Sequence, residues 1–192
     1  MKTPKTQWIF FIIAAVAAVA VPLYMVIQSE LAWNDGTEYR FRCAAYDPFD
    51  PFRGSYVRLR FDQANITLEH ESLAAPGDAA YAVLGVDSIG FAQITHLADA
   101  IPAEGDYITV EVRDTVHTDF GVRYRLELPF TKYFMEENKA PVVETKFRGL
   151  NVAQMENTWA VVSVRNGHAV TKDLFLDGTS ANELAAQTRE GE

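Results

Sequence analysis

The chain has 192 residues, 48% of them hydrophobic and 12% aromatic, which is enough for one folded domain with a core and too much for a disordered chain. Its net charge is −9 with a pI of about 4.9, and the only basic residues ahead of Glu30 are Lys2 and Lys5, so the remainder is more acidic still. A surface of that sign repels nucleic acid and anionic lipid headgroups and excludes a polyanion partner.

The first element is an uninterrupted apolar run from Trp8 to Ile27, 20 residues long and free of charge. That length matches the hydrocarbon core of a bilayer. Lys2 and Lys5 precede it and hold that end in the cytoplasm under the positive-inside rule. Trp8 and Tyr24 lie near its ends, where amphipathic rings prefer the interface, and Pro22 is tolerated in a lipid-embedded helix. The competing reading is a cleaved signal peptide with Ala18-Val19-Ala20 at the cleavage site, but that triplet falls inside the apolar run, which is itself longer than a usual signal core. The expectation is an uncleaved signal anchor over residues 8–27 in the cytoplasmic membrane, single-pass, N-terminus inside. Residues 1–29 form the stub and anchor, residues 30–179 an extracytoplasmic (periplasmic) domain, and residues 180–192 a polar tail with about one turn of helix.

Beyond the anchor, period-two alternation recurs. In Glu38–Ala45, Tyr39, Phe41 and Cys43 share one side. The lone Cys43 can form neither an internal disulfide nor a cysteine-based zinc site, and reads as a small apolar filler. Tyr56–Phe61 sets Val57, Leu59 and Phe61 against Tyr56, Arg58 and Arg60. Tyr81–Val86 and Phe91–Ile94 flank Asp-Ser-Ile-Gly, while Pro76-Gly77-Asp78 and Pro102–Gly105 read as loops. Asn65-Ile66-Thr67, a sequon, also reads as loop. Tyr107–Val116 sets Ile108, Val110 and Val112 against Thr109, Glu111 and Arg113, and Val122–Leu128 alternates likewise. After Pro141 the spacing of Val143, Phe147 and Leu150 changes to that of a short helix. Thr158–Arg165 and Ala169–Leu176 flank Asn166-Gly167, a strong hairpin signal. The fold class expected is mainly β (α+β): an N-terminal transmembrane helix, then one antiparallel β-rich domain with a short helix.

The least common stretch is Tyr46-Asp47-Pro48-Phe49-Asp50-Pro51-Phe52-Arg53-Gly54-Ser55-Tyr56. Its prolines favour an extended, three-residue-per-turn conformation that aligns Asp47, Asp50 and Arg53 on one edge and Phe49 and Phe52 on another, with Gly54 permitting a bend. One reading is a stiff connection between strands. The other is an acidic edge, or Arg53, that contacts a cation, a substrate or a partner. Arg53-Gly54-Ser55-Tyr56-Val57-Arg58-Leu59-Arg60-Phe61, with the Asp-Pro run before it and the anchor, resembles the signature of the GDYXXLXY family of bacterial membrane-anchored proteins. Lys132-Tyr133-Phe134-Met135-Glu136-Glu137 is similar to an aromatic-aromatic-acidic segment of that family, and Asn166–Ala169 with Leu176-Asp177-Gly178 to its C-terminal hairpin. Ser55 stands where the family has Asp, and Phe61 where it has its final Tyr. Were that Asp an essential acid or base, this chain would lack the activity. The resemblance implies association with multi-spanning membrane proteins and no particular reaction.

His70, His96, His117 and His168 are scattered, and the chain holds neither a G-x-S-x-G elbow nor a phosphate-cradling glycine loop. A Ser-Lys dyad built on Ser29 or Ser55 with Lys132, Lys139 or Lys146 lacks any residue that would position a depressed-pKa lysine. No cofactor and no metal are expected. The candidate functional surface is Asp47, Asp50, Arg53, Gly54, Tyr56, Tyr133 and Glu137, on the idea that the 46–56 and 130–140 segments converge. The function expected is a non-enzymatic accessory or interaction module for an integral membrane protein. The alternative is a membrane-tethered hydrolase or ligand-binding domain using the Asp47–Tyr56 loop.

Overall fold

A computed structural model describes residues 4–45, 56–69, 74–136 and 139–190. The apolar run forms α1, Pro4–Asp35, which continues through Pro22 and eight residues past Ile27. Every large apolar side chain from Trp8 to Val26 is more than half exposed. The stretch Gln7–Asp35 is the one described helix long and apolar enough to cross a membrane. Gly36 alone separates α1 from the first strand.

The rest is mainly antiparallel sheet, as the alternation predicts. One sheet contains β1 (Thr37–Ala45), β2 (Tyr56–Phe61), β8 (Lys132–Phe134), β9 (Trp159–Arg165), β10 (His168–Leu176) and β11 (Thr179–Ser180), in the order β11-β10-β9-β1-β2-β8. The other contains β3 (Asn65–Leu68), β4 (Ala79–Val86), β5 (Ala92–Ala98), β6 (Tyr107–Thr118) and β7 (Gly121–Glu127), in the order β3-β7-β6-β4-β5. The inward residues of both enter one core: Phe41, Cys43, Leu59, Phe61, Val162 and Leu174 from the first, Ala82, Ile94, Ile108, Val112, Tyr124 and Leu126 from the second. At its centre Phe130 packs against Phe41 and Phe61, with ring centroids 4.8 and 5.0 Å away. Burial and the nearby Asp62 charge push the Cys43 thiol far up, which suits an inert filler.

Turn chemistry sets the hairpins. Asn166 and Gly167 take positive φ, 49° and 82°, the pair a tight two-residue turn between β9 and β10 requires. Gly167 also hugs the second sheet, where its carbonyl accepts from Thr109 N at 3.1 Å and a Cβ would strike the Tyr107 ring. Asp87 closes the β4–β5 turn by accepting from Phe91 N at 2.8 Å and Ile89 N at 3.0 Å. Those amides, Phe91 first, hold its carboxyl below the usual range, with Arg42 adding to the effect.

Several segments depart from the sequence reading. Asn65-Ile66-Thr67 is strand rather than loop: β3 pairs with β7 from Asn65↔Arg125 to Leu68↔Val122. Four residues are too few for alternation to announce a strand, and the pairing supplies what the pattern lacks. The Pro141 helix is α2, Ala140–Arg148, with Val143 and Phe147 buried, and a second short helix, α3 (Val152–Glu156), follows behind an Asn151/Gln154 capping box. Where about one turn of helix is expected, a longer one stands: α4, Ala181–Glu190, directly after β11. Its Ala181 and Ala185 are buried, and it packs on α2 and β10. Two alanines and Leu184 at helical spacing give a narrow apolar stripe, easily hidden among the polar residues around it.

Candidate functional site: the seam between β8 and β10

The first sheet curls until β8, at one end of the strand order, approaches β10 near the other. Lys172 is the extra residue of a bulge in β10, between Thr171 and Asp173. Beyond it, Asp173 accepts from three donors. Its Oδ1 takes the Tyr133 hydroxyl at 3.2 Å and Leu174 N at 2.8 Å, and its Oδ2 takes the Ser180 hydroxyl at 2.9 Å. Asn182 Nδ2 on α4 donates to the Tyr133 oxygen at 3.1 Å. Tyr133 is 4% exposed. Burial first, then the charge of Asp173 and the hydrogen bond to it, push its hydroxyl up to about 12, while the Asn182 donation works the other way. Tyr133 is therefore neutral at physiological pH and ties β8, β10, β11 and α4 into one network. Thr171 Oγ1, donating to the Phe130 carbonyl at 3.4 Å, closes the seam a second time.

Over this network lies a cleft of about 520 Å³, with Trp33, Phe130, Tyr133, Met135, Lys172 and Asn182 among its walls. Trp33 belongs to the last turns of α1, so the cleft touches the membrane-crossing candidate itself. Lys172 Nζ is committed, 2.7 Å from Glu38 Oε1 and 5.6 Å from the centroid of Trp33. The walls carry one neutral, buried phenol, an amide, the paired Lys172 ammonium, and Lys132 and Glu136 beside aromatic surface. Such walls can hold a group by hydrogen bonds, charge and aromatic contact.

Of the residues singled out from sequence, Tyr133 stands at the centre of the seam. Tyr56 opens β2 in register with Phe134, so the end of the 46–56 segment and the 130–140 segment meet as hydrogen-bonded neighbours, with Val57↔Tyr133 next along. Asp47, Asp50, Arg53, Gly54 and Glu137 lie outside the described residues, as do Ser55 and His70. Ser29 spends its hydroxyl on the Met25 carbonyl, 3.0 Å away in its own helix. Lys139 pairs with Glu136 at 2.7 Å, and Lys146 sits in the last turn of α2. His96 shares a hydrogen bond with Thr95, and among the described residues no three His, Cys, Asp or Glu side chains gather as a metal site. Sequence reasoning misses Asp173, Ser180, Asn182, Lys172 and Trp33. The one signal among them is Asp173, an acid inside the strand pattern of Ala169–Leu176.

Among the described residues, one helix of membrane-crossing length running into a two-sheet antiparallel domain defines the class of protein. Within that class the chain belongs to the GDYXXLXY protein family, whose sequence model matches residues 18–174. Neither the curated proteins nor the solved structures provide a match. The fold gives the later part of the family's motif a structural meaning. Leu59 and Phe61, at its Leu and final Tyr positions, are buried residues of β2, and Phe61 meets Phe41 edge-on at 6.0 Å. A phenylalanine there needs no partner for a hydroxyl.

Proposed function

We propose that this protein is a membrane-anchored accessory module, not an enzyme, whose periplasmic β domain serves an integral membrane partner. The observation that carries the reading is α1. From Trp8 to Val26 its large apolar side chains are exposed to whatever surrounds the helix, and each gains about 1.5–3 kcal/mol by leaving water. A bilayer supplies that environment over the required length. Under the positive-inside rule the two N-terminal lysines support a position outside the cytoplasm for the residues beyond α1. Support for a binding role, rather than a reaction, comes from the seam, where the buried hydroxyl is held neutral and every polar group named is bonded to a neighbour. The Tyr133 cleft, beside the end of α1, is the surface offered to the partner.

The test is affinity capture of the full chain from membranes in mild detergent. Stoichiometric recovery of an integral membrane protein, lost when Met135 and Trp33 are replaced by Ala, is the expected result. A clean monomer carrying a bound small molecule or metal would instead favour a tethered hydrolase or ligand-binding domain built on the Asp47–Tyr56 loop.

A further inference from the structure

We infer that α1 and the two-sheet domain form one rigid lever, so that a partner gripping the helix inside the bilayer sets the orientation of the domain outside it. The inference rests on α1 being the membrane span. The join is a single residue, Gly36, packed too closely to admit a side chain. A Cβ at Gly36 would collide with the Ala32 carbonyl oxygen and the Ser163 hydroxyl and lie 3.0 Å from the Val164 carbonyl oxygen. Ala32 is fully buried, unlike the exposed apolar residues earlier in the helix. Its carbonyl accepts twice, from Gly36 N at 3.1 Å and from the hydroxyl of Ser163 at 2.6 Å. Ser163 is itself fully buried in β9, opposite Glu38 of β1. A serine in the interior of the sheet, spent on a helix carbonyl, pins the last turn of α1 to the strand beneath it.

A second tie comes from the β10 bulge. Lys172 lies against the Trp33 ring and pairs with Glu38, linking β10, α1 and β1 through one ammonium. Rotation of α1 about its axis must break the Ser163 bond or drive the Gly36 backbone into β9. The eight residues from Gln28 to Asp35 then act as a stiff stalk of about 12 Å, at about 1.5 Å per residue, rather than as a swivel. Lys172 and Trp33 are also walls of the seam cleft, so helix tilt and cleft geometry share the same side chains.

The experiment uses the full chain in lipid nanodiscs with paired spin labels at two exposed positions, Glu30→Cys on the stalk and Arg123→Cys on β7. The buried native Cys43 is left in place. Pulsed dipolar spectroscopy is expected to give one narrow distance distribution. Inserting Gly-Ser-Gly between Gly36 and Thr37 should broaden it by ~10 Å, the reach of a flexible three-residue linker. A parent distribution as broad as that of the insertion variant overturns the lever. A separate label at Ala15→Cys keeps the two readings apart. Shielding of that label from a water-soluble relaxation agent supports the membrane span, and a broad Glu30–Arg123 distribution from the doubly labelled protein in the same kind of nanodisc then defeats the coupling alone. A water-exposed Ala15 label removes the membrane reading, and the lever falls with it.

Discussion

At the residue scale, Tyr133 shows how one hydroxyl can hold several elements. It donates to Asp173 and accepts from Asn182, so replacing it with phenylalanine keeps the ring and removes one hydrogen bond from each, while Asp173 keeps Leu174 N and the Ser180 hydroxyl. Losing hydrogen bonds whose partners keep other donors or reach water costs about 0.5–1.5 kcal/mol. Tyr133→Phe should therefore lower the urea midpoint by that equivalent without changing the slope, measured by tryptophan fluorescence. The alkaline limb of stability follows from the same side chain. Tyr133 and Tyr39 are both raised from 10.0 to about 12, each by burial first, with Asp173 acting on Tyr133 and Asp106 on Tyr39. The Cys43 thiol is raised from 9.0. A raised acid is neutral in the folded state where the unfolded chain has already ionised, so the stability it contributes is complete below the unfolded value and lost as pH rises through the folded one. Thermal melts followed by circular dichroism should begin to fall near pH 9, from Cys43, and steepen between pH 10 and about 12, from the two tyrosines. The Tyr133→Phe variant should show a shallower fall over the last interval, and an unchanged one would remove Tyr133 from the cause.

At the element scale, what can be read from the sequence is what is local. The hairpins β4–β5, β6–β7 and β9–β10 join neighbouring stretches of alternation through turn residues such as Asp87 and Asn166-Gly167, so pattern and turn agree. β3 and β8 are four and three residues long and exist because β7 and β2 lie beside them; nothing within such short segments says so. The seam is half legible for the same reason. Tyr133 stands out by resemblance, whereas its partner Asp173 lies 40 residues on and Asn182 lies 49 residues on, beyond any spacing rule. α4 is the element whose value the sequence most conceals, and it gives the sharpest test. Ending the chain after Ser180 removes buried Ala181 and Ala185 and the Asn182 donor, and uncovers the part of α2 on which α4 packs. The expected loss is on the order of 2–4 kcal/mol, seen as a drop in the melting midpoint of roughly 5–15 °C. A truncated chain that melts at the parent temperature would mean α4 is an appendage after all.

At the scale of the whole molecule, charge and shape set separate constraints on the membrane. The chain carries −9 overall while its positive charge ahead of the apolar run is confined to Lys2 and Lys5. Acidic residues count for little in the positive-inside rule, so on the proposed topology the signal is Lys2 and Lys5 set against Arg40 and Arg42 on the far side. On the proposed membrane reading, an acidic domain is repelled by anionic headgroups. Replacing both lysines with glutamate should leave the apolar run fully able to insert and take away the bias that fixes its direction. The expected outcome is a protein still retained in the membrane fraction after alkaline carbonate extraction, with the domain now split between the two sides. Protease added to intact spheroplasts should digest essentially all of the parent domain and only a fraction of the variant's. Complete digestion of both would show that something other than the N-terminal lysines, such as folding of the domain after export, sets the orientation. Release of the variant by carbonate would show that the lysines hold the helix in the bilayer rather than merely orient it.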